Sequence, residues 1–117
     1  MKRTVLIVDD HPGFRSSARR MLESGGFAVV GEAGDGEDGI AAVEDLAPEL
    51  VLLDVQLPGI DGFEVSRTLA ARERGPDVIL TSTREISDFG GLVAESGARG
   101  FISKGDLTPN SLKELLG

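Results

Sequence analysis

Five short apolar runs alternate with longer amphipathic segments along this chain of 117 residues. Runs of four residues have the length of buried strands, whereas the segments between them carry apolar residues at helical spacing. A regular alternation of strands and helices predicts a parallel sheet with helices on both faces. The predicted strands cover residues 5–8, 27–30, 50–53, 78–81 and 100–103.

The predicted helices begin and end at residues that suit helix termini. Pro12 fits a first helical turn, and Gly25 and Gly26 end that helix. Gly90 and Gly91 fall inside the fourth helix, where each costs about 1 kcal/mol relative to alanine. The length fits a single domain over residues 1–117. The predicted helices cover residues 12–24, 37–46, 63–74, 87–96 and 109–116.

Composition excludes several classes of protein. The net charge of -8 argues against sequence-independent binding to nucleic acid and against attraction to anionic membranes. The absence of cysteine excludes disulfides and thiolate metal sites, and it fits a cytoplasmic protein. A single histidine rules out a multi-histidine metal site, and no apolar stretch is long enough to span a bilayer.

Charged residues stand directly after three of the predicted strands. Asp9 and Asp10 follow the first strand, Asp54 follows the third, and Lys104 follows the fifth. Placing charge at the end of a buried strand has a desolvation cost. Because open α/β sheets bind ligands beyond the carboxyl ends of their strands, these residues predict a functional site there.

Two motifs connect this pattern to a known family. The first is Asp9-Asp10-His11-Pro12, and the second is the run LDVQLPGIDG over residues 53–62; Lys104 follows the last strand. Together they resemble the receiver domain of two-component response regulators, and the DDHP variant resembles the NarL/LuxR group. The resemblance covers essentially the whole chain. It implies a flavodoxin-like (βα)5 fold with a five-stranded parallel sheet in the order 2-1-3-4-5.

The resemblance implies a phosphoacceptor and a metal site. Asp54 would accept the phosphoryl group, while Asp10, Asp54 and the backbone carbonyl of Gln56 would bind Mg2+ (or Mn2+), with Asp9 acting mainly through water. Elementary electrostatics agrees, because three converging carboxylates repel and a hard divalent cation relieves that repulsion. The alternative is that Asp9 and Asp10 merely cap the first helix.

Further roles follow from position relative to the lysine. Lys104 would bind the phosphoryl group. In receivers the switch hydroxyl commonly precedes the lysine by 22 positions, and 104 − 22 = 82 selects Ser82; Thr81 would need one insertion. Phe101, three positions before the lysine, would be the aromatic switch. The alternative interpretation of Phe101 is an ordinary phenylalanine of the hydrophobic core.

Other positions depart from the family pattern or admit two interpretations. Gly105 replaces the usual proline after Lys104, which predicts a more pliant loop. Gln56 and Arg84 occupy positions that modulate acyl-phosphate hydrolysis in receivers, and we hypothesise that Arg84 shields the phosphoryl group from water.

His11 is interpreted as a solvated loop residue. The arginines of the first helix indicate a solvated face or a kinase-docking surface; they are Arg15, Arg19 and Arg20.

The implied function is a phosphorylation switch rather than a conventional enzyme. A sensor histidine kinase or phosphotransfer protein would phosphorylate Asp54, and the surface around the fourth helix would then change its affinity for a downstream protein. The sequence leaves open whether phosphorylation drives homodimerisation. The alternative is the N-terminal receiver of a DNA-binding regulator whose output domain is absent here, so this chain alone would not bind DNA.

Two other functions suit the sequence less well. A haloacid dehalogenase-like phosphatase places a DxD pattern after its first strand, whereas this chain has Asp9-Asp10-His11. A flavodoxin-like FMN module needs a phosphate-binding loop there, and two carboxylates would repel the phosphate.

Overall fold

The computed structural model describes residues 2–117 as one parallel sheet with helices on both faces. Its strand order, β2-β1-β3-β4-β5, is the predicted one. Among the described residues, no helix combines the length and the apolar character that crossing a membrane requires. The elements are β1 (Thr4–Val8), α1 (Pro12–Ser24), β2 (Ala28–Ala33), α2 (Gly36–Leu46), β3 (Leu50–Asp54), α3 (Gly62–Ala70), β4 (Asp77–Ser82), α4 (Leu92–Glu95), β5 (Gly100–Ser103) and α5 (Pro109–Leu116).

The sheet separates two apolar cores. Residues of α2, α3 and α4 pack on one face of the sheet, including Val43, Leu69 and Val93. Residues of α1 and α5 pack on the other, including Leu22 and Leu112. The central strands are covered on both sides, which explains why β1 and β3 are almost entirely apolar.

Local capping fixes where several helices begin. The Asp35 side chain accepts a hydrogen bond from the backbone N–H of Asp38 at the start of α2, and Asp61 does the same for Glu64 at the start of α3. Such caps satisfy backbone donors that a first helical turn leaves without partners. These caps hold the loop ends at the edge of the sheet where the charged residues lie.

The predicted helix over residues 87–96 is wrong. The segment instead forms a short 3-10 turn, Ile86–Phe89, followed by the four-residue helix α4. Gly90 separates them with φ 57° and ψ -129°, a backbone conformation that stops a helix. The two glycines therefore act as a break rather than as weak helical positions.

Two other boundaries differ from the prediction by more than one residue. Helix α3 ends at Ala70 rather than at residue 74, because the chain tightens there and the Arg72 N–H bonds the Leu69 carbonyl. Strand β2 continues to Ala33 rather than ending at residue 30, since it pairs with β1 despite the polar Glu32. Neither change moves the carboxyl ends of the strands that carry the charged residues.

Candidate functional site

The sheet brings the predicted charged residues to one edge. Strand β1 lies between β2 and β3, so Asp9, which directly follows β1, and Asp54, the last residue of β3, lie at the ends of neighbouring strands. Both carboxylates are buried, with Asp9 1% and Asp54 3% exposed. Burial of this degree raises the free energy of a charged group unless partners compensate for the lost water.

Lys104 supplies such a partner to both buried acids. Its Nζ lies 2.7 Å from Asp9 Oδ2 and 3.6 Å from Asp54 Oδ2. The same ammonium lies 4.2 Å from the centre of the Phe14 ring, where a cation–π contact is favourable. In this structure the lysine is thus held mainly by Asp9, with Asp54 within electrostatic reach.

The loop from β1 to α1 holds the acid pair from the other side. The His11 backbone N–H donates to Asp9 Oδ1 at 2.9 Å, and the Arg15 guanidinium donates to the Asp9 carbonyl at 2.6 Å. His11, not Asp9 or Asp10, is the N-cap of α1, and it makes no side-chain cap. The helix-capping alternative for the two aspartates is therefore wrong.

His11 also contacts both aspartates through its ring. Its Nδ1 lies 3.2 Å from Asp9 Oδ1 and 3.0 Å from Asp10 Oδ1. Ligand atoms of Asp9, Asp10, His11 and Asp54 all lie within 4.8 Å of one another. This set of three carboxylates and one imidazole could hold a metal ion, because oxygen and nitrogen donors of this kind suit divalent cations.

The electrostatics of Asp54 reflects its surroundings. Burial, and then the negative charge of Asp9, raise the pKa of Asp54 to about 6; Lys104 and the Gln56 N–H act in the opposite direction, and Asp10 raises it slightly. A divalent cation bound to these acids would favour the ionised form. The protonation state of Asp54 therefore depends strongly on which cations lie beside it.

The two candidate hydroxyls at the end of β4 are placed differently. The Thr81 hydroxyl donates to the Ile102 carbonyl at 2.7 Å within the sheet. The Ser82 oxygen accepts a bond from the Arg84 N–H at 3.1 Å, and Ser103 donates to the Arg84 carbonyl. Both residues are fully buried, but the Thr81 hydroxyl is engaged by β5, whereas Ser82 ends its strand and its oxygen accepts only from the loop that follows.

The remaining predicted residues lie around this site. Gln56 donates its backbone N–H to Asp54 Oδ1 at 3.3 Å, while the Gln56 and Arg84 residues are exposed. Phe101 is half-buried, with its ring centre 5.8 Å from that of Phe89. Gly105 lies in a single 3-10 turn, Lys104–Asp106, directly after β5.

Gly62 lets the loop after β3 return close to Asp54. A Cβ added there would collide with the Asp54 carbonyl oxygen and would lie 2.7 Å from Val55 Cα. The Gly62 N–H also donates to the Val55 carbonyl at 2.8 Å. The start of α3 is therefore fixed against the end of β3 by a contact that only glycine permits.

The comparisons with known proteins agree with this geometry. Residues 5–116 match the family described as the response regulator receiver domain. The chain belongs to this family. Receiver domains are signalling domains of two-component systems rather than conventional enzymes, and they work with sensor kinases and output domains.

Similar proteins place this receiver near the NarL/LuxR group, as the DDHP motif predicted. It is 33% identical over 99 residues to the DNA-binding transcriptional activator EvgA of Escherichia coli K12, covering 85% of this chain and 48% of EvgA. It is 38% identical over 104 residues to the virulence regulator BvgA of Bordetella pertussis, covering 89% and 50%. The chain thus spans about half the length of these curated relatives.

A solved structure shows the same fold. The receiver domain of the response regulator NarL from Mycobacterium tuberculosis superimposes with a TM-score of 0.87 and 34% identity, covering 99% of this chain and 98% of that one.

Sequence reasoning missed the contacts of three residues in this receiver. His11 is exposed, as expected of a loop residue, yet its ring touches both acids. Phe14 lies under Lys104, and Arg15 bonds the Asp9 backbone and Glu32 instead of only facing solvent. Their closeness in sequence to Asp9 and Asp10 was the available signal, since a helix that starts directly after a site presents its first turn to it.

Proposed function

We propose that this receiver, residues 1–117, is a phosphoacceptor switch in which Asp54 takes a phosphoryl group from a sensor histidine kinase or phosphotransfer protein. A carboxylate oxygen of Asp54 attacks phosphorus, the phosphorus–nitrogen bond of the donor phosphohistidine breaks, and the imidazole leaves with a proton. The observation that carries the proposal is the buried Asp54 carboxylate beside Asp9, Asp10 and Lys104.

Mg2+ (or Mn2+) fits the donor set of this site. Asp10, Asp54 and the Gln56 backbone carbonyl would hold the ion, with Asp9 acting mainly through water. Three carboxylates and one ammonium leave excess negative charge for a divalent cation to balance. When bound, the cation neutralises charge on the phosphoryl oxygens during transfer.

Lys104 and Ser82 would complete the phosphoryl-binding site. Lys104 already reaches Asp54 at 3.6 Å, so a small movement away from Asp9 brings its ammonium to a phosphoryl oxygen on Asp54. The engaged hydroxyl of Thr81 supports Ser82 as the group that binds another oxygen. Positioning and charge stabilisation of this kind are the main contributions of proteins to phosphoryl transfer.

The output would come from the surface around Phe101. Movement of Ser82 toward the phosphoryl group would pull the Arg84 backbone that it binds, and would free Phe101 to rotate. Ile86 lines a groove together with Phe101 and is 50% exposed, and Leu92 of α4 is 44% exposed. A downstream protein, or a second phosphorylated copy, would bind this surface in the cytoplasm, where sensor kinases present their phosphohistidine.

The relatives favour a second candidate, a receiver that controls a DNA-binding output domain. EvgA is a DNA-binding transcriptional activator, and this chain covers 48% of it. The net charge of -8 argues that the receiver itself makes no direct contact with DNA. Sequencing the reading frame beyond residue 117 tests this candidate: a basic helix-turn-helix supports it, and a stop codon there would count against it.

The first experiment is phosphorylation by a small donor. The purified chain is mixed with acetyl phosphate and Mg2+, and intact mass is measured; we expect a gain of one phosphoryl group, about 80 Da. Asp54→Asn should lose the gain, as should omission of Mg2+. Asp61→Asn is the matched control, because it changes an exposed acid of the same loop and asparagine also caps helices well.

Other outcomes have distinct meanings. If beryllofluoride binds but acetyl phosphate transfers nothing, the site is competent and needs a protein donor. If neither modifies nor binds the chain, Asp54 is not a phosphoacceptor.

Hydrolysis tests the roles of Arg84 and Gln56. If the Arg84 side chain shields the phosphoryl group, Arg84→Ala should lose the phosphoryl group faster than the wild type in a dephosphorylation time course. Gln56→Ala changes the other exposed residue beside the acceptor and shows whether the Gln56 side chain also affects the rate of dephosphorylation. An unchanged rate in Arg84→Ala would count against shielding.

A further inference from the structure

His11 stands out because the proposed phosphotransfer chemistry does not need it. It is the only histidine in the chain. Its side chain is 69% exposed, yet Nδ1 points between the two consecutive aspartates, 3.2 Å from Asp9 Oδ1 and 3.0 Å from Asp10 Oδ1. An exposed ring free to face solvent is instead directed at the carboxylates.

These two distances match the spacing of neighbouring ligands around one cation. Ligands at right angles on a small octahedral ion, each about 2.1 Å from it, lie roughly 3.0 Å apart. The Asp54 ligand atom belongs to the same set, within 4.8 Å of the others. The nitrogen can therefore bind one ion together with the Asp10 and Asp54 oxygens, while Asp9 lies beside the ion and acts mainly through water.

The backbone holds the ring in this place. The His11 N–H donates to the same Asp9 oxygen that its ring faces, at 2.9 Å. Pro12 follows at the first position of α1, which restricts the backbone of the residue before it. Because two neighbouring constraints fix the His11 backbone, little further ordering is needed for its ring to bind a metal.

We propose that Nδ1 of His11 is an additional metal ligand and makes the site select transition cations, such as Co2+, Ni2+, Zn2+ and Mn2+, over Mg2+. The inference rests on the metal site of the proposed function. Mg2+ prefers oxygen ligands, whereas imidazole nitrogen strengthens binding of transition cations. Replacing a water ligand by imidazole should therefore strengthen the binding of transition cations more than it changes the binding of Mg2+.

The first test compares two metals in one variant. Dissociation constants for Co2+ and Mg2+ are measured by titration calorimetry at one pH, with a chain free of histidine tags and in a buffer free of imidazole. We expect His11→Gln to weaken Co2+ binding at least about tenfold while Mg2+ changes by less than about twofold. Asp10→Asn is the matched control, since loss of a carboxylate should weaken both metals.

A spectroscopic test addresses the ligand directly. Electron spin echo measurements on the Mn2+-loaded wild type should show imidazole nitrogen coupling, and this coupling should vanish in His11→Gln. Because the chain has one histidine, the signal has a single source. The wild-type spectrum alone shows whether the imidazole binds the ion, so the test does not depend on the folding of the variant.

Three results would overturn the proposal. These are Mn2+ bound without imidazole coupling, equal weakening of Co2+ and Mg2+ in His11→Gln, and no change of either. Equal weakening would mean that His11 only positions the aspartates. Phosphorylation of Asp54 is read separately by mass, so loss of the proposed function and loss of His11 ligation are distinguishable.

Discussion

The acid cleft, formed by Asp9, Asp10, Asp54 and Lys104, and the helix-4 segment, residues 83–99, are held by different means. In the cleft, buried charges contact each other and the backbone, and the loops that carry them are capped. In the helix-4 segment most residues are exposed, and the helix itself is only four residues long. The chain thus combines a well-held site with a weakly held neighbouring surface.

This difference suits a switch. Chemistry at a carboxylate requires groups that are already in position. A surface that changes with phosphorylation requires two arrangements close in free energy, and such elements come from the less stable parts of a fold. The helix-4 segment has few buried side chains to hold it, namely Val93 and Ser96 with the half-buried Phe89 and Ala98. We therefore expect substitutions in the two regions to differ in size and in kind.

The largest effect should come from Lys104→Met. Methionine keeps much of the side-chain volume but leaves Asp9 and Asp54 without their shared cation. Removing one partner of a buried ion pair costs about 3–5 kcal/mol. In EDTA we expect urea denaturation to show a loss of this size, and Mg2+ should restore part of it.

Lys104→Arg and the phosphorylation assay control this result. Arginine keeps the charge and should keep most of the stability, whereas both variants should be phosphorylated more slowly because the ammonium geometry is lost. Unchanged stability of Lys104→Met in EDTA would show that the cleft is not held by this ion pair.

Asp54→Asn should stabilise the protein in the absence of metal. The folded pKa of Asp54, about 6, lies above its ordinary value of 3.8, so the folded state holds a proton that the unfolded state releases between these values. The stability contributed by this group is present below pH 4 and is lost as pH rises through 6. At pH 7.5 the neutral asparagine should therefore gain about 3 kcal/mol over the wild type.

The pH profile distinguishes this cause from a general effect. The unfolding free energies of wild type and Asp54→Asn in EDTA should converge toward pH 4, separate between pH 4 and 6, and stay at a nearly constant difference above that range. Adding Mg2+ at pH 7.5 should narrow the gap, because the ion stabilises the wild-type carboxylate. A gap that is constant from pH 4 to 8 would contradict burial of the charge as the cause.

Gly62→Ala should disturb the cleft without changing any charge. The added Cβ collides with the Asp54 carbonyl oxygen, so the loop must move, with an expected loss of about 1–3 kcal/mol. Gly13→Ala is the matched control: Gly13 lies in α1 with open space around its Cα, and alanine should stabilise the helix slightly. Thermal unfolding compares the two, and equal changes would show that the Gly62 contact has no role.

The sequence predicted the acid cleft better than the helix-4 segment for a physical reason. Strand ends are marked by abrupt changes from apolar to charged residues, and parallel pairing then forces Asp9, Asp54 and Lys104 to one edge. The path of the helix-4 segment depends on the backbone conformation of Gly90. A glycine can adopt this conformation, but its presence in the sequence does not specify it.

Side-chain geometry was also beyond the sequence. The ring of His11 and the position of Phe14 under Lys104 depend on how α1 leaves the sheet, which no periodicity records. The spacing from Lys104 selected Ser82 over Thr81, but the hydrogen bond from the Thr81 hydroxyl to the Ile102 carbonyl, which supports that choice, is visible only in the structure.

The smallest effects should come from the two adjacent glycines of the helix-4 segment, and they should have opposite signs. Gly90 has φ 57° and ψ -129°, so Gly90→Ala should lose about 1–2 kcal/mol through backbone strain. Gly91 has φ -84° and ψ -1°, which alanine adopts readily, and its Cβ would meet only the Glu95 side chain at 3.8 Å. Gly91→Ala should gain about 0.4–1 kcal/mol by restricting the unfolded chain.

Hydrogen exchange over residues 83–99, measured beside acetyl phosphate labelling of Asp54, locates these effects. Gly90→Ala should speed exchange in this segment and Gly91→Ala should slow it, while the rate of labelling stays within about twofold, because sites without shared contacts are nearly additive. A several-fold change in labelling by either variant would mean that the segment already influences the cleft before phosphorylation. The well-held and weakly held regions would then be a single coupled unit, and the cleft could not be treated as preformed.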